Sequence, residues 1–269
     1  MSPGRLEHDL DPSRFGGKAA SLSAALRAGL PVPSGWAIDD TLASALAERD
    51  ARASELCAEL LDAAREHALA VRSSAVGEDS TDASFAGQHL TRLHVRGPGA
   101  VIDAVREVWL SGRSESALAY RRRLGLPDAV QMGVVVQRMA APLSAGVMFT
   151  RDPVTGADER VIEVTWGLGE AVVSGLVTPD RYRMRRGGEV LERALGDKDL
   201  EIVPCEGGGT REQAVDPGRA ARLCLGPDDL AALDELAERC DRWFGGPSDI
   251  EFAVEETGVL LLQRRAITR

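Results

Sequence analysis

The chain has 269 residues, 44% of them apolar, with 32 Lys+Arg against 42 Asp+Glu and a formal net charge of −10. This length and apolar content suit one large domain or two lobes around a buried core. The acidic balance excludes a general binder of the nucleic-acid backbone, which needs a cationic excess to displace counterions.

In chain order, the segment GGKAASLSAALRAGLPVPSGW reads as a glycine turn, a helix over about residues 19–28, a stop at Gly29 and a proline-rich exit into a strand over 36–38. Residues 41–68, rich in Ala, Leu, Glu and Arg at a period near 3.6, predict one helix or two. HALAVRSSAV then alternates as a strand and runs into the polar loop GEDSTDASFAG. LTRLHV predicts a further strand, and GAVIDAVREVWLSGRSESALAYRRRLG two amphipathic helices. The β-rich runs VQMGVVVQRM and AGVMFTRDP, joined by a short proline-containing loop, suggest an antiparallel pair. RVIEVTW, RYRMRRG and EVLERAL predict strands, and residues 206–218, with three consecutive glycines, an exposed loop. A helix starts at Pro227-Asp228, and SDIEFAVEETGVLLLQRRAI closes the chain as a hairpin turning at Glu256-Thr257-Gly258. Mixed strands and helices with several hairpins give an α+β class.

No apolar run reaches the roughly 18–20 residues that span a bilayer, and the N-terminal stretch lacks the apolar core of a secretory signal, so a cytoplasmic protein is expected, without membrane or nucleic-acid partners. Cys57, Cys205, Cys224 and Cys240 form no CxxC pair and read as reduced structural thiols. His8, His67, His89 and His94 stand in no HExxH or Ser/His/Asp-like setting, which leaves zinc chemistry and nucleophilic hydrolysis unsupported. Aromatic residues, at 4%, are too few for a single-strand stacking platform.

Four places can carry chemistry. Gly16-Gly17-Lys18 opens a helix, where exposed N–H groups and a lysine suit a phosphate; the same turn also serves a purely structural start, and the GxxxxGK[ST] spacing is absent. Arg72 ends a strand beside a donor-rich loop, so its planar fork, Ser84, Gly87 and the intervening amides can wrap one anion, unless Arg72 pairs with Glu78 or Asp79. The exit of the strand over residues 134–139 can offer backbone groups to an adenine edge with Met139 against the ring, although core packing explains a methionine there equally well. In the last hairpin, Asp249 and Glu251 alternate on one strand and Gln263 and Arg265 on the next, which allows all four to share one face. Two carboxylates and an amide oxygen are hard ligands of the kind magnesium takes, and Arg265 can neutralise a migrating phosphoryl group; a salt-bridged hairpin is the alternative. The glycines of Trp166-Gly167-Leu168-Gly169-Glu170 are a weak nucleotide signal on their own.

Together GGKAASLSAALRAGLPVPSGW, VRSSAVGEDSTDASFAGQ, VVVQRM, AGVMFTRDPVTG, WGLGEAVVSGLVTPDRY and DIEFAVEETGVLLLQRRAIT resemble, in the same order, the ATP-binding domain of the phosphoenolpyruvate synthase and pyruvate phosphate dikinase family, to which rifampicin phosphotransferase belongs. The resemblance covers residues 16–268 and implies an ATP-grasp fold with ATP between two lobes, an N-terminal one over residues 1–96 and a C-terminal one over 97–269. It implies that Lys18 and Arg72 bind phosphate, that Ser84, Phe85, Ala86 and Gly87 form a loop over the phosphates, and that Thr91 adds a phosphate contact. Gln137 and Met139 resemble the adenine-side strand, Glu251 and Gln263 the magnesium ligands, Arg265 the arginine of phosphoryl transfer, and Asp249 the first acidic residue of that motif. ATP and Mg2+ are therefore the expected cofactors.

The departures are specific. The usual Gln-x-Arg-Pro is Gln263-Arg264-Arg265-Ala266, the common Ala-Thr-Ala-Glu-Asp is Ala75-Val76-Gly77-Glu78-Asp79, and the segment between Ile38 and Val71 is short for the family. Family members generally continue into a domain whose histidine carries phosphate from ATP to a distant acceptor, and no Ser-His-Ala-like motif is present in this chain. The expectation is an ATP-dependent phosphotransferase component that passes phosphate to a histidine domain on another chain or to a small-molecule acceptor, or else a fragment of a longer enzyme. The alternatives are a self-sufficient ATP-grasp kinase or ligase forming an acyl phosphate, and a nucleotide-binding regulatory subunit. The presence of Lys18, Arg72, Glu251, Gln263 and Arg265 together disfavours the last.

Overall fold

Two antiparallel sheets organise the chain in a computed structural model that describes residues 2–76, 90–123, 125 and 130–267. Each sheet belongs to its own unit: the first comprises Met1–Arg27, Pro33–Met139 and Pro204–Gly209, the second Ala28–Val32, Ala140–Val203 and Thr210–Arg269. The expected α+β class is borne out. The boundary expected at residues 96/97 falls inside the first unit.

The first unit runs β1 (Gly4–Arg5), α1 (Pro12–Phe15), α2 (Gly17–Arg27), β2 (Gly35–Ile38), α3 (Asp40–Ala47), α4 (Ala51–Leu56), α5 (Ala58–Glu66), β3 (Leu69–Ala75), β4 (Thr91–Val95), α6 (Pro98–Ser111), α7 (Glu115–Arg123) and β5 (Met132–Arg138). Its sheet order is β1-β2-β5-β3-β4. The region read as one helix or two is three, because Asp39 and Asp50 each start a helix by accepting a backbone N–H, from Leu42 at 2.9 Å and from Ala53 at 2.8 Å. Arg49, at φ 58, makes the left-handed break between α3 and α4. One face of the sheet, with Trp36, Ile38, Val71, Val134 and Val136, packs on Leu42, Leu46, Leu60, Val101, Val105 and Val108 of the helices. Each such buried side chain is worth about 1.5–3 kcal/mol.

A polar joint closes this core. Asp40 Oδ1 accepts from Trp109 Nε1 at 2.9 Å, Arg113 Nη2 at 2.6 Å and the Met132 N–H at 3.0 Å, and the Arg113 guanidinium lies 4.0 Å from the Trp109 ring centroid. It ties α3 and α6 to the start of β5, which is why residues 97–139 belong with the first unit rather than a second lobe.

The second unit runs β6 (Ser144–Phe149), β7 (Glu159–Trp166), α8 (Glu170–Val173), β8 (Asp180–Arg185), β9 (Val190–Ala194), β10 (Leu200–Pro204), β11 (Thr210–Ala214), α9 (Pro217–Ala220), α10 (Pro227–Phe244), β12 (Ser248–Glu255) and β13 (Gly258–Ala266). Its main sheet is ordered β13-β12-β6-β7-β8-β9, and β10 and β11 form a two-stranded sheet of their own. Two expectations need correction here. The runs read as an antiparallel pair are β5 and β6, which lie in different sheets; Val134, Val135 and Val136 pair with β2 and β3 instead. Residues 206–218 are not a loop throughout, since Thr210–Ala214 is a strand and Pro217 begins α9. Polar strand residues such as Glu212 and Gln213 gave no alternation to read.

Helix α10 lies against β12 and β13. Its buried Leu230, Leu233, Leu236, Ala237 and Cys240, and the buried Met148, Ile162, Ile250, Phe252 and Leu261 of the sheet, form the apolar side of the unit. All four cysteines are free; burial pushes the Cys57 and Cys240 thiols up to about 12. Among the described residues, no helix is long and apolar enough to cross a membrane.

Candidate functional site

In the first unit, the turn into α2 is pressed against β3 and β5. Gly16 has φ +84, and a Cβ there would lie 2.0 Å from the Ser74 carbonyl oxygen; a Cβ on Gly133 would lie 2.4 Å from that of Phe15. Lys18, in the first turn of α2, is consequently buried at 5% exposure. Arg72, at the middle of β3, is buried at 9% exposure and is the cross-strand partner of Thr91 on β4 and Val135 on β5. Cross-strand partners share a face, so Arg72, Ser74, Thr91 and Gln137 all lie on the face turned away from the α3–α6 core. Arg72 and Thr91 thus share this face, and Lys18 is buried in the first turn of α2, which packs against β3 and β5.

Gln137 is 3% exposed, and its side-chain amide donates to the Pro33 carbonyl at 2.9 Å, fixing the entry to β2. Met139 leaves β5 with its N–H donating to the Ala68 carbonyl at 3.0 Å. Ser84, Phe85, Ala86 and Gly87 lie outside the described residues.

In the second unit, the hairpin brings the four predicted residues together in register: Asp249 is opposite Arg265 and Glu251 opposite Gln263. A bulge makes this possible. Counting straight from the turn pairs Phe252 with Leu261 and would set Glu251 against Leu262; the shift between Glu251 and Phe252 takes up Leu262 and returns Gln263 to the carboxylate face. Leu261 and Gln263, two residues apart, therefore face opposite sides. Ser248 and Arg264 confirm the parity: the Arg264 Nε–H donates to Ser248 Oγ at 2.9 Å, and its guanidinium lies 4.4 Å from the Phe244 ring centroid of α10.

The carboxylate face is electrostatically uneven. The Asp249 carboxyl is held above the ordinary aspartate range, first by burial and then by the like charge of Glu251, with Arg265 pulling the other way. Among the described residues no group of three or more His, Cys, Asp or Glu side chains is arranged to hold a metal ion; Asp249, Glu251 and Gln263 offer hard oxygen donors of the chemical kind that magnesium takes.

One further placement was not anticipated. Glu163 on β7 pairs with Val147, which pairs with Glu251, so this half-buried carboxylate shares the hairpin's polar face. A single glutamate at an alternate position of the apolar run Val161-Ile162-Glu163-Val164 was the available signal. The Gly167 turn, by contrast, is explained by packing: at φ +71 its Cβ would lie 2.6 Å from the Ile202 carbonyl oxygen.

The chain is an α+β protein whose first unit buries Lys18 and Arg72 and whose second unit sets Asp249, Glu251, Gln263 and Arg265 on one hairpin face. Residues 41–269 match the pyruvate phosphate dikinase, AMP/ATP-binding domain family, and the chain belongs to that family. The expected ATP-grasp class stands with that membership, and ATP is the nucleotide it implies.

Relatives agree. The chain is 41% identical over 234 residues to a rifampicin phosphotransferase of Streptomyces sviceus, covering 86% of this chain and 26% of that protein. It is 43% identical over 202 residues to a probable phosphoenolpyruvate synthase of Methanothermobacter thermautotrophicus, covering 74% and 29%. It is 38% identical over 286 residues to the prodigiosin synthesizing transferase PigC of Serratia marcescens, covering 96% and 32%. The chain thus spans only 26% to 32% of the length of these three relatives.

Proposed function

We propose that this chain binds ATP with magnesium and readies a phosphoryl group for transfer, as the nucleotide-activating part of a phosphotransferase. The observation that carries the reading is the cross-strand set Asp249–Arg265 and Glu251–Gln263 on one polar face, in a member of an ATP-binding family. Glu251 and Gln263 would hold magnesium, with Asp249 beside them setting the negative charge of the site. The metal, when bound, supplies neutralisation of phosphate charge. Lys18, Arg72 and Thr91 hold the phosphates, Ser84, Phe85, Ala86 and Gly87 cover them, and Gln137 and Met139 line the adenine side. Arg265 contacts the oxygens of the migrating group with its planar fork, where charge spreads as the bond to the leaving phosphate loosens.

The acceptor is a small molecule or a protein domain whose histidine takes the phosphoryl group. The different names of the relatives, rifampicin phosphotransferase and phosphoenolpyruvate synthase among them, support an acceptor chosen outside this ATP-binding region. Purified chain incubated with ATP, magnesium and pyruvate should therefore yield no phosphoenolpyruvate, whereas adding a phosphate-accepting histidine domain or the true acceptor should raise ATP turnover. Phosphoenolpyruvate formed by the chain alone would contradict this division of labour.

A further inference from the structure

Helix α2 starts without a capping side chain of its own. At that position a Ser, Thr, Asp or Asn usually accepts the N–H of the second or third helical residue. Here it is held by Gly16, whose φ of +84 and 2.5 Å approach of a virtual Cβ to Ser74 Oγ leave no room for a side chain. The missing oxygen arrives from β3: Ser74 Oγ accepts the N–H of Ala19, the third residue of α2, at 3.0 Å, and Ser74 is fully buried.

Ala19 follows Lys18, and Ser74 stands two residues from Arg72 on the same strand face. We propose that Ser74 is a positioning residue for phosphate binding: its hydroxyl locks the start of α2 to β3, so that Lys18 and Arg72 meet a polyphosphate as a fixed pair. This rests on the ATP reading above and extends it to a residue that need not touch the nucleotide. The neighbouring Ser73 is a built-in control. It is equally buried, but its Oγ has no hydrogen-bond partner among the described residues, and strand alternation turns it toward the helical core.

The test is calorimetry of ATP and of adenosine binding to the full chain, with a thermal melt of every variant. Ser74→Ala should weaken ATP about 5-fold, the size of a lost helix cap, and leave adenosine unchanged, while Ser73→Ala alters neither. In a Lys18→Ala background, Ser74→Ala should cause no further loss. Ser74→Cys keeps the volume with a poor acceptor and should reproduce the selective loss, which keeps the test decisive if Ser74→Ala melts. Equal weakening of ATP and adenosine, an undiminished loss added to that of Lys18→Ala, or unchanged ATP affinity would each overturn the role of Ser74. A wild-type chain that binds no ATP would instead overturn the nucleotide reading itself, a separate and recognisable failure.

Discussion

The two faces of the second unit's main sheet both carry charge, and they use it in opposite ways. On the α10 face, Arg160 is fully buried and meets Asp234 at 3.1 Å, Glu238 at 2.7 Å, Asp241 at 3.4 Å and the Thr150 carbonyl at 2.7 Å. Arg186 joins it, 2.9 Å from Glu238, 2.8 Å from Asp241 and 2.7 Å from Asp158. Each carboxylate there faces a guanidinium, and the Glu238 and Asp158 carboxyls are held below their ordinary ranges, chiefly by hydrogen bonds from Arg186. On the other face Asp249, opposite Arg265 and two residues from Glu251 on the same strand, is buried beside that like charge, and its carboxyl moves up instead. Charge by itself therefore does not mark a site. A network whose charges cancel holds the fold, and a carboxylate beside a like charge is where the proposed function above puts a cation.

The contrast can be broken in order of expected effect. Glu251→Ala should abolish magnesium-dependent turnover and leave the melting temperature nearly unchanged, because the sheet's apolar side does not depend on it; a large loss of stability would make the hairpin face structural. Arg160→Ala should do the reverse, destabilising the chain by about 3–5 kcal/mol through the loss of the buried guanidinium and the stranding of Asp234, as measured by denaturant melts, with ATP affinity per folded molecule intact. Arg265→Lys keeps the charge and loses the fork, and should lower the rate at saturating ATP by about 100- to 1000-fold, or about 2.7–4 kcal/mol. If it weakened ATP binding strongly and left that rate untouched, Arg265 would be a ground-state anchor.

The smallest effect is in pH. Glu238 and Asp158 have depressed folded values, so the stability they contribute is present above their ordinary ranges and is lost as pH falls through the folded values. Asp249 has a raised value, so its cost grows as pH rises from the ordinary aspartate range through the folded value. Asp249→Asn should therefore raise the melting temperature slightly at pH 7 and not at strongly acidic pH, without flattening the acid arm set by the α10 network.

Local signals made much of this legible from sequence. Glycine and prolines ended α2, alternation marked β3 and β12, and the order of motifs pointed to the family. Pairing over long separations was not legible: β5 follows the residues of α7 and precedes β6, yet its hydrogen bonds go back to β2 and β3. The three-way joint on Asp40 that holds residues 97–139 to the first unit depends on Trp109, Arg113 and Met132, which no periodicity links to residue 40. In the site, alternation placed Asp249 and Glu251 on one face, but the opposing register depends on the bulge at Leu262, and nothing in the run Val259-Leu260-Leu261-Leu262 distinguishes the residue that slips out. The helical spacing of Asp234, Glu238 and Asp241 on α10 does not by itself show that they clamp one buried arginine.

Calorimetry of ATP binding with and without magnesium tests the central claim, that the hairpin face receives a nucleotide-bound cation. The wild type should bind ATP more tightly with magnesium present, and Glu251→Gln should erase that difference while keeping the magnesium-free affinity. Equal affinity of the wild type under both conditions would contradict the metal assignment.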